Sequence, residues 1–386
     1  MHGCTRAHVT LCGAELHGTS TTTKRRDALS HGTQPSIWLV EVGGGDIRKH
    51  MERGRQLEWA SSSVRLAQYR PFARQYLYLD HVLNNRVASV PALFPTHKHR
   101  NVGFYSVGAS SAHPFSVLML DVIPDLHVTG AGSGGRFFPR WSWEPLAQEG
   151  TLDLGSKDGE VIDGYRRIDN IDDAALMKWR TAYGAEWTKD DVFFYVYGLL
   201  HSADYRERYA ADLKKMLPRV PLVSTASDAR AFADAGRALS ELHIGYESVA
   251  PYPLVVSTGQ AHVPLADVEP AGDPFAYFAV GTKKMRFGDK GKDRTVLHYN
   301  DRLTVGAIPA EAYRYQLGSR SALEWIIDRY VIKTDKASGI LNDPNDWSRE
   351  IGDPRYILDL LARVVQVSVL TMRIVDDLPK LTIGEA

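Results

Sequence analysis

The sequence predicts an α+β protein, with a strand-rich N-terminal half containing a mixed sheet, a helical middle and C-terminal helices. Three observations carry that expectation. β-Branched and aromatic runs crowd residues 101–143, apolar residues recur at helical spacing between 190 and 243, and two further helical stretches close the chain. Strands early and helices later favour α+β over a doubly wound sheet. With 386 residues, 44% hydrophobic and 24% charged, the chain has the composition of a globular protein and the length for two or three domains.

Residues 1–45 form the first expected unit, a poorly ordered arm. Residues 1–35 mix His, Thr, Ser and Gly without helical or strand period. His2, His8, His17 and His31 with Cys4 and Cys12 match no compact zinc spacing, so no metal is expected. With both cysteines in this arm, no disulfide framework holds the body. No run approaches ~18 apolar residues and the start lacks a secretion-signal layout, which gives a cytoplasmic expectation with no membrane partner.

Residues 46–100 form a basic segment. From Asp46 to Arg100 there are ten Lys or Arg against four acids, a local charge of +6 hidden by a net charge of zero. Aromatics stand among these cations in YRPFARQYLYLD, where alternating Tyr76, Tyr78 and Asp80 predict a short strand. NVGFYSVG (101–108), PFSVLMLDVI (114–123), LHV (126–128) and RFFPRWSW (136–143) predict strands, and the glycines of 144–172 a long loop.

The spacing of Tyr205, Tyr209, Leu213 and Met216 predicts one amphipathic helix over 190–217, stopped by Pro218. A second helix covers 228–243, capped by Ser227 or Asp228, with Phe232, Ala235, Leu239 and Leu242 buried. Short β structure follows at 275–287 and 295–305, then helices over 321–330 and about 354–375, the last with Ile357, Leu361, Val364, Val365 and Met372 on one face. The expected main unit runs 101–379, leaving 380–386 as a tail.

The stretch DLHVTGAGSGG (125–135) has the look of a phosphate loop, but Arg136 and Phe137 follow the glycines where Lys and Ser/Thr are needed. A dinucleotide site needs a helix there, and RFFPRWSW starts none. The reading is a mobile turn. Its rival is a free-standing enzyme that binds S-adenosylmethionine or a nucleotide on 130–135, with Asp121, Asp125 or His127 as acid/base groups. No nucleophile elbow, His-Glu-x-x-His or Cys-x-x-Cys pair occurs, so no catalytic residue and no cofactor is assigned. The segment 332–347 lacks the ligand order of a calcium loop and reads as a structured turn.

Two more basic clusters stand out: HKHR (97–100) and KKMRFGDKGKDR (283–294), the latter with six cations, two acids and a predicted hairpin turn at Gly288 and Gly291. A solvated surface explains a lone charge run. Several runs interleaved with aromatics point to phosphate contact.

The segments YRPFARQYLYLD, DVIPDLHV, FFYVYGLLHSADYRERYAADLKKMLPRVPL, HYNDRLTVGAIPAEAYRYQLGSRSALEWIIDRYVIKTDKASGILNDPNDW and GDPRYILDLLARVVQVSVLTMRIVDDLP resemble the C-terminal specificity region of type ISP restriction-modification enzymes. The resemblance spans roughly Asp46 to Pro379. It implies a target-recognition domain that reads double-stranded DNA for an enzyme also carrying nuclease, helicase-like ATPase and adenine methyltransferase parts, with 46–100 at the methyltransferase junction. The chain lacks Asn-Pro-Pro-Tyr, Walker and helicase motifs. It is therefore expected to be noncatalytic alone, from a truncated or split gene, with a separately encoded methyltransferase/helicase portion as a possible partner. The candidate DNA contacts are Arg70, Arg74, Lys98, Arg100, Arg136, Arg140, Lys283, Lys284, Arg286, Lys290 and Lys292.

Overall fold

A computed structural model describes residues 8–9, 57–58, 60–80, 89–146, 159–259, 261–336 and 339–383. Most of the N-terminal arm, the side chains of its His/Cys set, the cations at 48–55, Arg86, and residues 147–158 of the expected loop lie outside them.

The first half carries β1 (Val64–Arg70), β2 (Ala73–Tyr78), β3 (Gly103–Ser106), β4 (Val117–Leu120), β5 (Ile123–Pro124), β6 (Arg136–Pro139), β7 (Trp141–Pro145), β8 (Val161–Ile162) and β9 (Tyr165–Asp169). β1 lies between antiparallel β2 and parallel β5, which makes the expected mixed sheet. β3 lies between β4 and β6, both antiparallel.

β3 and β4 are buried on both faces, and the period-2 alternation of their side chains sorts them into two cores. Tyr105, Leu118 and Leu120 join one core; Phe104, Val117 and Met119 join the other. LHV (126–128) is a turn rather than a strand, because the backbone there closes on the glycine loop. Residues 159–172 of the expected loop carry regular structure: β8 and β9 form a hairpin that turns through Asp163 and Gly164 at positive φ and pairs onto β7.

The helical middle comprises α1 (Asp173–Tyr183), α2 (Lys189–His201), α3 (Ala203–Arg208) and α4 (Ala226–Ile244). The single helix expected over 190–217 is broken at Ser202, whose extended backbone and side chain cap α3 through the Tyr205 amide. Capping competes with helix continuation at Ser. The Tyr205 stripe is correspondingly incomplete: Tyr205 and Leu213 are buried, Met216 is exposed. The cap of α4 is Thr225, not Ser227 or Asp228.

α2 and α4 cross closely at paired glycines. A Cβ on Gly198 would fall 2.0 Å from the Phe232 carbonyl oxygen, and one on Gly236 1.9 Å from that of Phe194. The crossing distance is set by these absent side chains.

The second half carries β10 (Val255–Thr258), β11 (Ala261–Pro264), β12 (Arg286–Phe287), β13 (Asp293–His298), β14 (Thr304–Gly306), β15 (Gln316–Leu317), β16 (Arg320–Ser321), α5 (Ala322–Arg329), β17 (Lys333–Thr334), β18 (Leu341–Asn342), α6 (Asn345–Ile351) and α7 (Tyr356–Asp376). Five strands form an antiparallel sheet in the order β11-β10-β14-β13-β12. Residues 274–278, expected as β, form a helical turn because Asp273 caps it and Pro274 opens it. α5 starts on a Ser321/Glu324 capping box.

Val256, Leu297 and Val305 of this sheet pack with Trp325, Ile326, Leu361 and Val364 of α5 and α7. Phe72, at the β1–β2 turn, reaches the same core and meets Tyr246 edge-on at 5.1 Å.

Candidate nucleic-acid interface

The expected DNA contacts fall into three groups. Arg70, Arg74 and Arg140 are internal braces. Arg70 pairs with Asp125 at 3.2 Å and stacks on Tyr69. Arg74 joins Asp121 at 3.0 Å and Glu247 at 3.3 Å, donates to the Ile244 carbonyl and lies over Tyr246, tying β2 to the end of α4.

Arg140 is only 4% exposed and bridges Asp169 at 2.5 Å and Asp190 at 2.7 Å while stacked on Trp141. Their charge is spent on the fold. Sequence counted them as cations; it holds no direct signal of which carboxylate each one meets.

Lys98, Lys283 and Lys284 form a second group. Each is exposed but paired: Lys98 with Asp163 at 2.9 Å, Lys283 with Asp301 at 3.0 Å, Lys284 with Asp328 at 2.9 Å. The Lys98 ammonium holds the Asp163 carboxyl below the usual range through its hydrogen bond.

The third group, Arg100, Arg136, Arg286, Lys290 and Lys292, is exposed and carries no ion pair among the described residues. Lys290 and Lys292 stand at the turn from Gly288 to Lys292 that links β12 to β13, the expected hairpin. Arg136 leads β6 directly out of the glycine loop.

That loop is closed by its own hydrogen bonds. The amides of Gly130, Ser133, Gly134 and Gly135 donate to His127 O, Gly130 O, His127 Nδ1 and Leu126 O. Ser133 is fully buried, its hydroxyl 2.8 Å from Tyr105 Oη, and its carbonyl accepts from Gly108. The ring of His113 bonds the Ala131 carbonyl.

Positive φ at Gly130, Gly132 and Gly134 makes the turn possible, while a Cβ on Gly135 would strike the Tyr105 ring at 2.0 Å. Amides already spent inside the turn do not cradle a phosphate. Nor do the glycines line the neighbouring cavity of about 430 Å³, which is bounded by Phe115, Arg206, Leu213 and Lys214.

Asp125 caps this turn through the His127 amide at 2.7 Å while it holds Arg70, and Asp121 holds Arg74. Asp121, Asp125 and His127 are thus bound into the scaffold rather than gathered as an acid/base set. Among the described residues no group of three or more His, Cys, Asp or Glu is placed to hold a metal, and no helix is long and apolar enough to cross a membrane.

Sequence reading passed over three further cations, Arg320, Arg329 and Lys333. They lie thirteen residues apart at most in an otherwise mixed stretch, and only the fold gathers them with Lys284 around Asp328.

A family model described as the type ISP C-terminal specificity domain matches residues 25–360. A search of curated proteins finds no match. Among solved structures, a nuclease-deletion mutant of the type ISP restriction-modification enzyme LlaGI in complex with a DNA substrate mimic is similar at 34% identity and a TM-score of 0.68, over 88% of this chain and 27% of that one.

The ATP-dependent type ISP enzyme LlaBIII bound to DNA is similar at 28% identity and a TM-score of 0.71, over 88% and 20%. A DrdV–DNA complex is similar at 31% and 0.68, over 88% and 31%. The chain thus spans less than a third of the length of these relatives. With the specificity-domain model covering most of its length, and the same region of large type ISP enzymes sharing its fold, the chain belongs to the type ISP C-terminal specificity domain family.

Proposed function

We propose that these residues form a target-recognition module for double-stranded DNA, noncatalytic by itself, which gives sequence specificity to the methyltransferase and helicase-nuclease parts of a restriction-modification system. The observation that carries the reading is that the similar LlaGI, LlaBIII and DrdV structures are DNA complexes. Residues 46–100 serve as the junction toward the methyltransferase, and 101–379 as the recognition unit.

Arg100, Arg136, Arg286, Lys290 and Lys292 are the favoured phosphate contacts, because their charge is not consumed within the fold. Lys98, Lys283 and Lys284 contribute by exchanging a surface carboxylate for a phosphate, a low-cost swap for exposed pairs. Arg70, Arg74 and Arg140 act indirectly, by holding the glycine turn, β2 and β6 in place.

The test is duplex binding by the full chain across a salt series. Neutralising about five phosphates gives a log–log slope of about −4.5. A slope near zero, or saturable S-adenosylmethionine binding by the isolated chain in calorimetry, would overturn the reading.

A further inference from the structure

Asp328 sits at the last turn of α5 with its side chain 10% exposed, and cations from four separate elements converge on it. Lys284 Nζ, from the segment before β12, is 2.9 Å from Oδ1. Arg329 bonds Oδ2 with both Nε and Nη2, and Arg320 of β16 reaches the same oxygen at 3.5 Å. Lys333 of β17 lies within electrostatic reach of all of them.

One carboxylate thus faces four cations, a local charge of +3. Glu324, four residues earlier on the same face of the helix, is taken by Arg294.

The heads are accessible. The side chains of Lys284 and Arg320 are 49% and 42% exposed, and Lys333 is exposed. Arg320 is also positioned by packing, since it lies over the Trp325 ring at 4.9 Å and Trp325 is pinned by its indole nitrogen to the Leu317 carbonyl. The opposite edge of Trp325 abuts the glycine turn, 3.5 Å from where a Gly130 Cβ would stand.

A net charge of +3 around a single buried anion is unfavourable by itself and is relieved by an incoming anion. Two planar guanidinium groups and two ammonium groups suit the oxygens of phosphodiesters.

We infer that Lys284, Arg320, Arg329 and Lys333, organised by Asp328, form a clamp for the DNA backbone phosphates, adjacent to the glycine turn. The inference rests on the DNA-recognition reading and adds a site to it. Burial is the main cause that lowers the affinity of Lys333 for its proton; Asp328 opposes it, and Arg329, Lys284 and Arg320 add to it.

The experiment measures binding of the full chain to several duplexes of unrelated sequence across a salt series. The variants are the double substitution Arg320→Gln with Lys333→Gln and the charge-retaining pair Arg320→Lys with Lys333→Arg. Neutralising both cations is expected to weaken every duplex about 10- to 50-fold at 0.1 M salt and to reduce the steepness of the log–log slope by about 2, with the charge-retaining pair restoring both.

If wild-type chain binds with a steep slope and the neutral variant keeps that slope, the clamp is wrong while the recognition reading stands. Weakening confined to one duplex sequence would also overturn it, since phosphates carry no base identity. Absence of salt-dependent duplex binding by the wild type overturns both.

Discussion

Two buried histidines make the fold acid-sensitive in a range where its carboxylates are still charged. His201 and His243 are 3% and 2% exposed, with ring centroids 5.5 Å apart. His243 accepts from the Tyr197 hydroxyl at Nδ1 (2.6 Å), bonds the Thr371 hydroxyl through Nε2 (3.0 Å) and stacks on Tyr315. His201 donates from Nδ1 to the Tyr197 carbonyl, and its buried Nε2 has no partner.

Burial, reinforced by the Arg206 guanidinium, brings His243 down to about 3 and His201 well below its usual value. Arg206 has no carboxylate partner among the described residues, so nothing there offsets a histidine charge. The unfolded chain takes up protons at these positions near pH 6.5 and the folded chain does not, so stability present above that value is lost as pH falls.

At pH 5.5 each histidine costs about RT ln 11, so the two together cost about 3 kcal/mol relative to pH 8. Only folded values below ~4.5 are needed for this result. Urea unfolding at pH 8 and 5.5 measures the loss, and a His201→Gln/His243→Gln variant, although less stable at pH 8, should lose much less. Equal wild-type stability at the two pH values, to within about 0.5 kcal/mol, would refute the reasoning, since the folded rings would then accept protons.

Other outcomes follow from the same geometry. Arg140→Ala leaves Asp169 and Asp190 facing each other at a nearly closed site; because those acids are 32% and 54% exposed, the cost is expected near 2–3 kcal/mol, with the salt slope of DNA binding unchanged. Gly198→Ala or Gly236→Ala drives a methyl into the facing helix carbonyl and should cost about 3 kcal/mol or more, read by denaturant midpoint.

Gly135→Ala, against the Tyr105 ring, should cost more than Gly132→Ala, which meets open space and carries only the strain of φ +82, about 1–2 kcal/mol. Lys290→Gln with Lys292→Gln should leave stability within about 0.5 kcal/mol and reduce the salt slope by about 2.

What sequence made legible was set by local chemistry. The helical stretch at 321–330, the apolar stripe of α7 and the β-branched and aromatic runs of β3 and β4 each reside in a few consecutive residues, and the helices and strands appear where those patterns stand. The misses came where one residue outweighed a pattern: Ser202 ends a helix that the Tyr205 stripe would continue, and Asp273 with Pro274 starts a turn in an apparent strand run. The glycine stretch was legible as a turn, but its hydrogen-bond partners were not. The hydroxyl of Tyr105 and the ring of His113 hold it, and both are distant in sequence.

The candidate interface shows why counting cations along the chain overstates some segments and understates others. The basic run at 46–100 supplied Arg70 and Arg74, yet both face carboxylates more than forty residues away. Arg320, Arg329 and Lys333 belong to no obvious run, yet they share one acid. A guanidinium that loses its hydration in the interior is compensated by a carboxylate, as at Arg140, or by a backbone carbonyl, as at Arg206. Burial therefore removes arginines from the phosphate inventory, and convergence of short loops on a single carboxylate adds to it. The electrostatic face offered to DNA is accordingly a property of residual charge after internal pairing, which is why the salt slope of single-site variants, rather than the sequence's charge map, separates braces from contacts.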